Sequence, residues 1–162
     1  MQVYYFAPFD VLRPRTNQIS DIRFCEGLVQ NNCQLTLIAP YVYRKDNLKK
    51  DKVLDFYGVE DKYDIKYLPT LFFKDVNGFF NLFLIVVLNF IFFLGILFRK
   101  TFGKEEVVLI SRSPSILYPM LLFRSWFKSN FKAIAWIHEV KENDSHLHVY
   151  KNVDLLWGTN SA

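Results

Sequence analysis

From Val76 to Phe98 the chain reads VNGFFNLFLIVVLNFIFFLGILF, without a single charged residue. A stretch of about 20 apolar residues is long enough to cross a bilayer as a helix. Lys74 and Asp75 precede it, and Arg99, Lys100 and Lys104 follow. Strand-like runs lie on both sides of the stretch, and the strands of one sheet must share one side of a membrane. A single crossing would therefore divide that sheet between two compartments. Three placements remain open: a monotopic helix in the bilayer surface, a re-entrant hairpin, or a core helix covered by further protein. A monotopic helix ordinarily shows a strong polar face, yet only Asn77, Asn81 and Asn89 interrupt this run. A core helix would keep a solvated face, which is missing here. Membrane association is the favoured expectation, and the trailing cations suit an anionic cytoplasmic leaflet.

The flanking runs are QVYYFAP, CQLTLIAP, EVVLISRSP, FKAIAWIHE and VDLLWGTNS. They are rich in β-branched and aromatic residues and mostly continuous in their apolarity, as strands buried on both faces of a parallel sheet are. Helical patterns alternate with them. In SDIRFCEGLVQNN, Ser20 fits an N-cap, and Ile22, Cys25, Leu28 and Val29 share one stripe. In SPSILYPMLLFRSWFK, Ser113 and Pro114 read as an N-cap followed by proline at the first helical position. This alternation predicts an α/β fold: a Rossmann-like open parallel sheet with helices on both faces. Residues 1–162 suffice for one such domain, with the hydrophobic helix at about 76–100.

Composition excludes several functions. The formal charge is only +4 and the Lys and Arg residues are dispersed, unlike the basic stripe of a nucleic-acid binder. Cys25 and Cys33 match neither a metal signature nor a disulfide framework. They read as small buried hydrophobes in a reducing, cytoplasmic setting. The opening MQVYYFAPFD lacks the features of a signal peptide. There is no G-x-G-x-x-G, P-loop, G-x-S-x-G or Cys/His nucleophile pattern.

Candidate chemistry collects at one edge. In open α/β sheets ligands sit beyond the carboxyl ends of the strands. His138 and Glu139 end one apolar run, Arg112 another, and Thr159 to Ser161 a third. The first loop, PFDVLRPRTNQISD, puts Arg13, Arg15, Thr16 and Asn17 just ahead of a helix. Cationic forks beside a helix N-terminus suit a phosphate, and a solvated basic loop fits the same residues equally well. In PYVYRKDNLKK, Asp46 or Asn47 caps a helix running through NLKKDKVLDFYG, which leaves Arg44 to meet a ligand. His146 and His148 form a His-x-His pair without further ligands in view, so they are expected on a mobile surface loop.

The order of these pieces resembles the N-terminal half of a GT-B glycosyltransferase, most like the family 4 (group 1) enzymes of bacterial polysaccharide synthesis. The resemblance rests on YYFAPF, on ISDIRFCEGLVQNNCQLTLIAPYVYRKDN, on WIHEV and on NVDLLWGTNSA, and it spans nearly the whole chain outside Val76–Phe98. The glycine pair common in the family's first loop is replaced here by RPRTN. The family's second Rossmann-like domain, which supplies most donor contacts, is expected from a C-terminal domain or a partner subunit absent from this chain. The resemblance implies transfer of a sugar from a nucleotide-sugar donor to a lipid-linked glycan acceptor at the inner face of the cytoplasmic membrane, without a metal or other cofactor. His138 matches the position near the transferring sugar, where it would hydrogen-bond the sugar or the reacting oxygens. Glu139 would orient His138 or bind acceptor hydroxyls. Arg112, Arg13 and Arg15 would balance phosphate charge, and Thr16, Asn17, Arg44 and Ser161 would complete the substrate-binding edge. The alternative is a non-catalytic, membrane-anchored subunit that recruits a separate donor-binding partner.

Overall fold

Apolar residues in adjacent positions at Gln2–Phe6 send alternate side chains to opposite faces, and both faces are buried. The computed structural model describes residues 1–12, 16–41, 48–69, 78–100, 106–137 and 146–158. The strands are β1 (Gln2–Phe6), β2 (Gln34–Tyr41), β3 (Asp64–Pro69), β4 (Val107–Ser111), β5 (Lys132–Ile137) and β6 (Leu155–Gly158). They form one open sheet in the order β3-β2-β1-β4-β5-β6, and every pairing is parallel. The helices are α1 (Thr16–Gln30), α2 (Val53–Phe56), α3 (Gly78–Lys100), α4 (Pro114–Phe127) and α5 (Leu147–Tyr150). The chain is α/β with a Rossmann-like sheet, and its strand order is the doubly wound one.

Two cores flank the sheet. On one face Tyr4, Phe6, Val107, Leu109, Ala133 and Ala135 pack against α3, α4 and α5. On the other, Val3, Tyr5, Val108, Ile110, Ile134 and Trp136 pack against α1 and α2. The period-2 alternation of a strand divides these neighbours between the faces.

Several local features differ from expectation. The helix α1 begins at Thr16, so Ser20 lies inside it and caps nothing. Its stripe is as read: Ile22 and Cys25 are buried, with Leu28 and Val29 packed alongside. It ends in a left-handed Asn32 (φ 61°), with Asn32 N–H donating to Val29 O and Cys33 N–H to Leu28 O, the double closure of a Schellman end. Pro114 does open α4 after Ser113, but the Ser113 side chain makes no capping bond. The helix expected through NLKKDKVLDFYG is reduced to a 3₁₀ turn at Lys50–Lys52 and the single turn of α2. Asp46 and Asn47 lie outside the described residues. The edge strand β3 was not among the sequence-read strands, because DIKYLP alternates charge with apolarity and only Leu68 is buried.

The helix α3 is one continuous element laid against the sheet. Ile85, Asn89, Phe93 and Ile96 are buried at helical spacing, which seats one stripe on the core along about three turns. The opposite side exposes Phe80, Phe83, Ile91 and Phe98, and Phe79 and Leu82 are exposed at the helix's amino end. Within Phe79–Arg99 an 18-residue window has a mean hydropathy of 2.6, and only 22% of that window is buried within the chain. Because β3 and β4 belong to the same sheet, α3 returns the chain to it, and its apolar outer side is left uncovered.

Candidate functional site

The doubly wound order reverses direction between β1 and β4, and ligands of such sheets bind beyond the carboxyl ends at that point. The two strands run in register there, with Tyr5 opposite Ile110. Ser111 clasps the ends together: its hydroxyl donates to Phe6 O at 2.7 Å and accepts from Ser113 N–H at 3.1 Å. The loop after β1 is equally well tied. Asp10 Oδ1 accepts from Leu12 N–H at 2.9 Å, an Asx turn, and Gln18 Nε2 donates to Asp10 O at 3.4 Å. The Tyr57 hydroxyl donates to Val11 O at 3.2 Å. Burial, with the nearby Asp10 charge second, pushes the Tyr57 phenol up to about 12, so it stays a donor at physiological pH.

Arg112 follows β4 directly. Its guanidinium donates to Asp21 Oδ1 at 2.9 Å, with side chains 12% and 1% exposed respectively. It also lies 5.2 Å from the centre of the Trp136 ring, which stacks on Phe24 with centroids 4.4 Å apart. Arg112 is thus held by a carboxylate from α1 and an aromatic face from β5. Tyr5 and Cys25 sit beside the pair. Burial, and after it the Asp21 charge, raises both the Tyr5 phenol and the Cys25 thiol well above their ordinary ranges. Cys25 is a protonated, unreactive thiol, as its apolar context predicted.

Of the residues singled out from sequence, Arg112 stands at this edge, and Thr16, exposed, opens α1. Asn17 occupies the first turn of the same helix. Arg13, Arg15, Arg44, His138, Glu139 and Ser161 lie outside the described residues, as does Thr159. In sequence, His138 follows Ile137, the last residue of β5, which neighbours β4. Among the described residues no group of three or more His, Cys, Asp or Glu side chains is placed to hold a metal.

Sequence reasoning missed Asp21, although its signal was present. Asp21 falls on the same helical stripe as Ile22 and Cys25, and a carboxylate on a buried stripe calls for a cation. It also misplaced His146 and His148. His146 immediately precedes and His148 lies within α5, a helical turn that buries Val149 and Tyr150 in the core, and the His148 ring meets Tyr118 edge to face at 5.1 Å. His146, His148, Val149 and Tyr118 border a groove of about 460 Å³ between α3, α4 and α5. All three helices start from the carboxyl-edge end of the sheet, and the groove is lined by their first turns.

No protein-family model matches the chain, and no curated protein matches it either.

Proposed function

We propose that this chain is the acceptor-side unit of a glycosyltransferase working at a membrane surface, which moves a sugar from a nucleotide-sugar donor to a lipid-linked acceptor. The observation that carries the reading is α3. A helix of a doubly wound fold needs one apolar face, and α3 carries a second, exposing Phe80, Phe83, Ile91 and Phe98. A bilayer is the apolar phase that such a face fits by length and composition, and an enzyme so placed acts on what the bilayer holds. The sugar chemistry comes from the resemblance of YYFAPF, WIHEV and NVDLLWGTNSA to family 4 glycosyltransferases.

In this reading the bond between the anomeric carbon and the donor phosphate breaks, and an acceptor oxygen bonds to that carbon. The acceptor proton leaves with the diphosphate. His138 hydrogen-bonds the sugar, and Glu139 orients His138 or holds acceptor hydroxyls. Arg13 and Arg15 balance phosphate charge, which preorganised cations do well. Arg112, already matched with Asp21, fixes the α1–β4 junction and turns less of its charge outward. The donor is held by a second Rossmann-like unit, in cis or in trans. The test is transfer of labelled sugar to organic-extractable lipid by the active assembly, with and without His138→Ala. Equal turnover in the variant would remove His138 from the chemistry and sink the catalytic reading.

One observation favours the non-catalytic, partner-recruiting alternative. The edge strand β6 exposes Leu155, Leu156 and Trp157, a short apolar rim suited to a second protein unit.

A further inference from the structure

The sheet ends in two strands that are built differently. At one edge, β3 carries exposed Asp64 and Lys66, whose charged ends meet at 2.9 Å, and it closes on Pro69, which has no N–H to offer. Charge and proline are devices that keep an edge strand from pairing. At the other edge, β6 reads LLWG and has neither. Leu155, Leu156 and Trp157 are all exposed. Trp157 meets Phe24 of α1 edge to face at 5.2 Å, so it lies on the α1 face of the sheet. Strand alternation puts Leu155 on that face and Leu156 on the other. Asp154, the charge just before β6, is already matched within the chain: it accepts from Ala133 N–H at 2.7 Å and from the Arg124 guanidinium.

We propose that β6 pairs with β6 of a second copy of this chain, antiparallel and centred on Leu156. In that register Leu155 of each copy stands opposite Trp157 of the other on the α1 face, and the two Leu156 side chains meet on the opposite face. Directly opposed apolar pairs are what stabilise an antiparallel contact. Asp154 falls opposite Gly158, so the register opposes no like charges across Asp154–Gly158. The strand is complementary to itself, as an isologous two-fold contact requires. The two-fold axis runs perpendicular to the sheet and keeps each face on its own side, so α3 of both copies lies on one side of the joined sheet. One bilayer then meets both uncovered α3 surfaces. A four-residue edge is small beside the roughly 1,200 Å² of a stable interface, and confinement to one membrane supplies the effective concentration that such a contact needs. The pairing rests on the membrane-facing reading of α3 and is independent of sugar transfer.

The test is disulfide trapping in membranes from cells making the full chain, in a Cys33→Ser background that leaves the buried Cys25 as the one native thiol. With Leu156→Cys, oxidation by copper phenanthroline is expected to move most of the chain to a band at twice 19.3 kDa on a non-reducing gel. Leu155→Cys alone should give at least fivefold less, because the two Leu155 positions sit diagonally across the axis, beyond disulfide reach. Leu155→Cys and Trp157→Cys chains made together should link. The Leu156 arm and the Leu155 with Trp157 arm read the same register independently, so either decides the matter if a variant of the other fails to accumulate. Equal trapping at Leu155→Cys and Leu156→Cys would overturn the register, and a Leu156→Cys product linked to a different protein would overturn the second copy as occupant. A chain that sediments with the membrane and gives no dimer band would overturn the pairing and leave the membrane reading in place. A chain found in the supernatant would remove the membrane reading and this pairing with it.

Discussion

Asp21 and Arg112 sit where a charge is costly, so each depends on the other. Removing one partner of a buried pair costs about 3–5 kcal/mol, because the remaining charge stays desolvated, whereas replacing both with apolar residues is often neutral. Asp21→Asn is therefore expected to lower the unfolding free energy in urea by about 3 kcal/mol, and Asp21→Leu with Arg112→Met to recover most of it. If the single variant matched the native chain, the pair would not be the junction described. Glu26 makes a different prediction, one of pH. It accepts from Arg23 at 2.6 Å and from Glu60 N–H at 2.9 Å, and the Arg23 hydrogen bond, followed by the Glu60 N–H, lowers its carboxyl from the ordinary value of 4.5. A depressed carboxylate stabilises the fold above its unfolded value and loses that effect as pH falls through its folded value. Glu26→Gln should thus be less stable than the native chain at pH 7. The two denaturation midpoints should converge below about pH 4. A gap that persisted there would assign the effect to packing.

Among the elements, α3 carries the account. Its buried Asn89 donates to Ile85 O of its own helix at 2.7 Å, while its Oδ1 finds no partner among the described residues. Asn89→Leu is expected to raise stability by about 1 kcal/mol, since an unsatisfied buried acceptor disappears. A loss of stability would mean that Asn89 meets a partner. On the outer side, Phe83→Gln, Ile91→Gln and Phe98→Gln together are expected to shift the chain from the membrane pellet to the supernatant after cell lysis, leaving the core stripe intact. Retention in the pellet would contradict the membrane-facing role. How far this was legible in sequence differs by element. The strands β1, β2, β4 and β5 announced themselves because burial on both faces demands continuous apolarity. The edge strand β3 did not, since half its residues answer to solvent. The Ser20 cue failed, since α1 starts four residues earlier, whereas Ser113 and Pro114 marked the start of α4 correctly although the Ser113 side chain makes no capping bond. The strand ends were read correctly as an edge, but contacts such as Arg112 with Asp21 depend on two segments 91 residues apart, which no local pattern specifies.

At the scale of the whole molecule, a parallel sheet has one edge where its strands end, and helices that start there bring their first turns beside it. In this chain that edge holds the neutralised Asp21–Arg112 pair between α1 and the end of β4, the sequence leading into His138, and the first turns of an apolar helix. The arrangement accounts for why an ordinary α/β fold carries a stretch as apolar as a membrane span while keeping its strands in one sheet. The proposed sugar transfer at a membrane surface would unite these features, and the most direct measurement is the transfer itself. Membranes holding the active assembly, supplied with a panel of radiolabelled nucleotide sugars, are extracted with organic solvent, and the labelled lipid is compared between native His138 and His138→Ala. The account predicts label in the lipid for the native assembly and a fall of about a hundredfold in the variant, the size of effect typical for a positioned hydrogen-bonding group at the reacting centre. Label that is undiminished in the variant, or never lipid-bound with any donor, would contradict it.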